Sequence, residues 1–177
     1  VAAAGMFATM QVKNANEQRD YLSTFERDYR NLDRAYLMAR QELIYFLTTG
    51  DREGLLSYQK SLEEIDTRTD VLKGYSSINA DIATLIEEMD GAIDRWEEIA
   101  GEQAKLMRHY LTVNHARAIE ASGEPRELSD RVSMIAGDLA KAIDQLVLDA
   151  LQRGKIRRRC HGGVHDLLAT GSLHDQG

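Results

Sequence analysis

Apolar residues recur at alternating three- and four-residue steps in four stretches of this chain. The first runs Leu22, Phe25, Tyr29, Leu32, Tyr36, Ala39, Leu43, Phe46, and the second runs Leu55, Tyr58, Leu62, Ile65, Thr69, Leu72. The third is Ile78, Ile82, Leu85, Met89, Ala92, Trp96, Ile99, Gln103, Leu106, Tyr110, Val113, and the fourth is Leu128, Val132, Ile135, Leu139, Ala142, Leu146. Such spacing lays one seam along each helix, and four helices with short joints bury those seams against one another. The pattern predicts an all-α fold, an antiparallel up-down-up-down four-helix bundle whose first and fourth helices are long. Residues 20–151 form the bundle, 1–19 begin helix one, and 152–177 are a tail.

The joints carry their own chemistry. Thr49-Gly50-Asp51 reads as a helix stop followed by a start: Gly50 tolerates positive φ, and Asp51 can cap the next helix. The second helix is expected to end at Gly74, with Ser76, Ser77 and Asn79 as alternative caps for the third. The third should continue to about Ala121, where Ser122-Gly123-Glu124-Pro125 breaks it; Pro125 suits the first turn of the fourth. Glu87, Glu88, Glu97 and Glu98 read as solvent positions of the third helix. Gly91, Gly101 and Gly137 fall inside predicted helices, as tolerated surface glycines or points of close helix approach. From Gly154 the periodicity collapses, so 152–177 reads as disordered or foreign to the domain.

Composition narrows the picture. A single proline among 177 residues favours helix over turn-rich β structure. The net charge of −7 argues against nucleic acid as a partner. The charge is uneven: residues 151–177 carry +3, which leaves −10 on residues 1–150. Cys160 is alone and forms no intrachain disulfide. No stretch holds the roughly 20 apolar residues of a membrane span. The first ten residues nevertheless carry no charge and no initial methionine, as expected either of a flexible or cloned N-terminus or of the outer end of a membrane helix.

Candidate chemistry is sparse. Cys160, His161, His165, His174 and Asp166 lack the paired spacing of a zinc site. Di-iron bundles need Glu-x-x-His pairs, but Leu106 precedes His109 by three and Thr112 precedes His115. No nucleophile elbow or phosphate loop occurs. The expectation is a non-enzymatic domain with no catalytic residue, no metal and no cofactor. Tyr29, Tyr36, Tyr58, Trp96 and Tyr110 sit on the seams, where they fill core layers or offer polar handles to a ligand. Arg40, Tyr58 and Trp96 are the ligand candidates, and Thr49, Gly50 and Asp51 are the structural joint.

The run Arg40-Gln41-Glu42-Leu43-Ile44-Tyr45-Phe46-Leu47-Thr48-Thr49-Gly50-Asp51, followed by Leu55-Leu56-Ser57-Tyr58, resembles the third type of the CHASE family. That family shows a small-aromatic-Leu-Leu-Thr-Gly-Asp run at the end of its first helix, and Leu43-Ile44 stand here where it usually has Arg-Gly. The resemblance covers about residues 20–150. It implies an extracytoplasmic, periplasmic sensor domain between two membrane spans of a bacterial receptor (a histidine kinase, cyclase or chemoreceptor), with a sensor histidine kinase of a two-component system as the expected host. It further implies helices one and four running toward the membrane and a small-molecule or periplasmic stimulus. A second apolar stripe on helix one, Leu37, Ile44 and Leu47, predicts a weak parallel homodimer through helices one and four. A chemoreceptor-type four-helix ligand domain and a cytoplasmic helical adaptor are the alternatives.

Overall fold

The computed structural model describes the backbone of Ala2–Ala169 and the side chains of residues 17–152. Five helices follow one another: α1 (Ala2–Thr49), α2 (Arg52–Lys73), α3 (Ala80–Leu106), α4 (Val113–Ala121) and α5 (Glu124–Ala169). No strand occurs among the described residues, so the all-α expectation holds. The chain divides into two compact units, Thr24–Ala142 and the pair of segments Val1–Ser23 with Ile143–Gly177.

Periodicity explains its core. Phe25, Tyr29, Leu32, Tyr36, Ala39, Leu43 and Phe46 of α1 are all buried, and Leu47 joins them at 4% exposure, whereas Leu37 and Ile44 face outward. Two long-range hydrogen bonds register α1 against α5. Tyr29 Oη donates to the Ala136 carbonyl (2.8 Å) and Tyr36 Oη donates to Ser129 Oγ (2.9 Å). Seven residues forward on α1 match seven residues back on α5, which sets these segments antiparallel. The Tyr75 ring, in the α2–α3 connection, stacks on Phe25 at 4.3 Å, and its hydroxyl donates to Asp28 Oδ2 (2.7 Å).

Helix ends follow side-chain chemistry. Of the three candidate caps for α3, Asn79 acts: its Oδ1 accepts from the Ile82 amide at 2.8 Å. The long third helix expected from the seam is instead two helices. The ladder stops at Leu106, and the Thr112 hydroxyl donates to the Leu106 and His109 carbonyls, closing the turn with a side chain. Tyr110 therefore leaves the seam and stands 87% exposed, while Gln103, on the last regular turns, is fully buried. Apolar spacing cannot register a threonine that competes for backbone carbonyls. After α4, Gly123 takes φ +90° and α5 begins, with Pro125 in its first turn.

The helical backbone continues past Leu151 to Ala169. The side chains of the expected tail, with Cys160, His161, His165, Asp166 and His174, lie outside the described residues.

Candidate ligand-binding site

The α1–α2 joint is held by a closed set of local bonds. Gly50 adopts φ +72°, with its amide bonded to the Phe46 carbonyl at 2.8 Å. A Cβ on Gly50 would meet no atom within 4 Å, so the demand is conformational rather than spatial. Asp51 Oδ1 accepts from the Glu53 amide at 3.1 Å and caps α2. Its Oδ2 accepts from Tyr45 Oη at 3.1 Å. Thr49 Oγ1 donates to the Tyr45 carbonyl (2.8 Å) and accepts from the Asp51 amide (3.1 Å). Every polar atom used here faces backbone or a joint neighbour, so the geometry of Thr49, Gly50 and Asp51 is that of a turn. Gly54 adds a contact that apolar spacing could not indicate: a Cβ there would lie 2.7 Å from the Tyr45 ring.

Below the joint, three aromatic side chains meet in the core. Trp96 of α3 stands edge-on to Tyr36 of α1, with centroids 5.0 Å apart, and to Tyr58 of α2 at 6.3 Å. Each is at most 2% exposed. Arg40 is half-buried on α1, where its charge acts on the Tyr36 hydroxyl, whose pKa is raised chiefly by burial. The Tyr58 hydroxyl differs from that of Tyr36 in having no hydrogen-bond partner. Burial, and then the nearby Glu97 charge, push its pKa upward.

Beside Tyr58 and Trp96 a cleft of about 340 Å³ opens between α2 and α3. Its walls carry Asp66 and Asp70 from α2 and Asp90, Asp94 and Glu97 from α3, against a single cation, Lys73. Lys73 Nζ pairs with Asp90 Oδ2 at 2.9 Å and ties the two helices together; that hydrogen bond raises the lysine pKa. No basic side chain among the described residues pairs with Asp66, Asp70, Asp94 or Glu97. Ile65 and Ile93, both nearly fully buried, give the cleft an apolar floor.

Two polar groups at this cleft are unsatisfied. Thr69 lines it at 7% exposure, and its hydroxyl has no partner. Glu97 is half-buried rather than a solvent position, and its Oε1 is buried without a partner. Burial, reinforced by Asp66, Asp94 and Asp90, pushes the Glu97 carboxyl up to about 7. Buried unpaired polar atoms are rare in folded proteins and each one costs stability. Their concentration beside one acidic cleft marks the place where the fold is least self-sufficient.

None of Arg40, Tyr58 and Trp96 lines the cleft; Tyr58 feels the Glu97 charge, Trp96 precedes Glu97 on α3, and Arg40 belongs to α1. The carboxylates that do line it carried a signal in the sequence, since Asp66/Asp70 and Asp90/Asp94 are i,i+4 pairs that each share a helix face. No group of three or more metal-ligating side chains converges among the described residues. No helix among them is long and apolar enough to cross a membrane.

The family of the CHASE3 domain matches residues 30–153, an interval that includes the joint, the Tyr36–Trp96–Tyr58 contacts and the whole cleft. No curated protein and no solved structure gives a significant match. The chain belongs to the CHASE3 family, whose members are extracellular sensor domains of receptors.

Proposed function

We propose that this CHASE3 domain is the periplasmic signal-input domain of a bacterial transmembrane receptor, with a sensor histidine kinase as the output. Its helices α1, α2, α3 and α5 act as an up-down-up-down four-helix bundle, with α4 as a short insertion. A stimulus at the α2–α3 cleft passes to α1 and α5, which continue toward the membrane. The observation that carries this reading is the contact chain from cleft to long helices. Glu97 of the cleft acts on Tyr58, Tyr58 meets Trp96, Trp96 meets Tyr36, and Tyr36 is hydrogen-bonded to Ser129 of α5.

Physically, a ligand shifts such a bundle only by binding two packings unequally. Displacements of ~1–2 Å between packed helices are sufficient for such switching. Unsatisfied hydroxyls at Tyr58 and Thr69 provide that inequality, because a packing that satisfies them gains hydrogen bonds the other lacks. The domain has no chemistry of its own in this scheme.

The reading is tested on the full-length receptor in membrane vesicles, with kinase autophosphorylation as the readout. The intact protein is compared with one whose residues 30–153 are replaced by a leucine zipper of equal register. The expected result is that the zipper form holds one fixed output and no longer responds to periplasmic extract. An unchanged response would refute the input role.

A further inference from the structure

We propose that the α2–α3 cleft binds a linear polyamine, with its ammonium groups on the carboxylates of Asp66, Asp70, Asp94 and Glu97 and its methylenes on Ile65 and Ile93. This deepens the input-domain reading and rests on it only for the signalling consequence; the binding is measured separately.

Four observations converge on this chemistry. The charge is uncompensated: five carboxylates face one lysine, and that lysine is already engaged by Asp90. The charge is also spread out. Residues four apart on a helix rise about 6 Å along its axis, so Asp66/Asp70 and Asp90/Asp94 form two short rails instead of a point. A compact metal ion needs ligands gathered on one centre, and no such gathering exists among the described residues. An alkyl chain bearing spaced ammonium groups matches the rails.

The other two observations concern the floor of the cleft. Ile65 and Ile93 line the cleft, and although most of each side chain is buried, their edges give methylene segments an apolar contact that a hydrated inorganic cation would not use. Thr69, more than nine-tenths buried on the cleft wall, has a hydroxyl oxygen with no partner and can accept an N–H. Glu97 faces Asp66 and Tyr58 from α2 and Asp90 and Asp94 from its own helix, with Lys73 as the one cation lining the cleft. Burial first, and that crowding after it, hold part of its population protonated near neutrality. An arriving ammonium group relieves the repulsion and the carboxyl ionises, so binding releases protons at pH near 7.

The test is isothermal titration calorimetry of the 177-residue chain with spermidine, with 1,4-diaminobutane and with magnesium chloride, at low and at near-physiological ionic strength. Spermidine is expected to bind at one site, more tightly than the diamine and far more tightly than magnesium. The Asp66→Asn/Asp94→Asn double variant should weaken it about tenfold or more, since two charge-assisted contacts are lost. Thr69→Val, close in shape, should weaken it by a few fold. Asp138→Asn/Asp144→Asn on α5 removes the same charge away from the cleft and should leave the affinity within about twofold. Circular dichroism confirms that each variant is folded.

Three results would overturn the proposal: no saturable spermidine binding, equal weakening by the α5 pair, or magnesium binding as tightly as spermidine. Failure here leaves the zipper experiment untouched, so a sensor with another ligand stays distinguishable from a domain that is no sensor.

Discussion

Replacing Glu97 by glutamine should stabilise the domain at alkaline pH and leave it unchanged in acid. The Glu97 carboxyl is pushed from 4.5 up to about 7, first by burial and then by Asp66, Asp94 and Asp90. A folded-state pKa above the unfolded value means that the folded protein holds the proton more tightly. Its stability is therefore highest below pH 4.5, falls as pH rises from 4.5, and reaches its full deficit once pH exceeds about 7. At ~1.4 kcal/mol per pH unit the undiminished deficit would be about 3 kcal/mol. Solvent in the half-open cleft screens the charge, which reduces it to roughly 1–2 kcal/mol.

The assay is thermal unfolding by circular dichroism for wild type and Glu97→Gln across pH 4 to 9, a range chosen to bracket both values at about two units beyond the higher. Only the difference between the curves is interpreted, because other carboxyls titrate in both proteins. That difference should be near zero at the acid end, grow through pH 5–7, and level off with the variant melting on the order of 5 °C higher. A variant that melts lower at pH 9, or a difference that does not change with pH, would show that Glu97 is not held in a repulsive, desolvated position. Added spermidine should narrow the gap at alkaline pH, because the polyamine supplies to wild type what the substitution removes.

Much of the fold was written in the spacing. All of the residues predicted on the α1 seam from Phe25 to Phe46 are buried, as are Ile82, Met89, Trp96, Ile99 and Gln103 on α3. Burial against a neighbour needs only the period, and the period is a property of the sequence. The break after Leu106 was not legible, because it depends on Thr112 reaching back to two carbonyls, and apolar spacing continues across it. Leu47 is buried although it lies off the seam, and Arg117 of α4 reaches its carbonyl. The cleft was half legible. Each helix shows its own acidic pair, but Lys73–Asp90 and the burial of Glu97 exist only once α2 lies beside α3. Pairing two helices is a tertiary event, and the sequence pattern of either one leaves Glu97 among the solvent positions.

Three further outcomes are expected. Asp51→Ala should cost about 0.5–2 kcal/mol through loss of the α2 cap, and Gly50→Val more than about 1 kcal/mol through positive φ; both are read as melting temperature, with receptor output unchanged. Loss of output at unchanged stability would make the joint a binding site. Leu37, Met38 and Ile44 remain exposed on α1 and Met134 on α5, which fits a parallel homodimer through these helices. Light scattering should show weak, concentration-dependent dimerisation, and a strictly monomeric mass at millimolar protein would count against it. The last concerns α4, a nine-residue helix in which Ala116 is the buried residue, too short to persist by itself. Arg117 on α4 donates to the Leu47 carbonyl (3.0 Å) and the Thr48 carbonyl (3.1 Å). These are orphan acceptors of the last turn of α1, at the negative end of its dipole. Gln103 Nε2 provides a second tether, to Glu120 Oε2 at 3.0 Å. Arg117→Met keeps the apolar stem and removes the donors, so about 1–2 kcal/mol should be lost locally. Hydrogen exchange should accelerate at the α4 amides and in the last turn of α1 while the amides of α3 near Trp96 stay protected. Uniform acceleration throughout the unit, or none at α4, would show that α4 is held by its packing and that the Arg117 bonds contribute nothing.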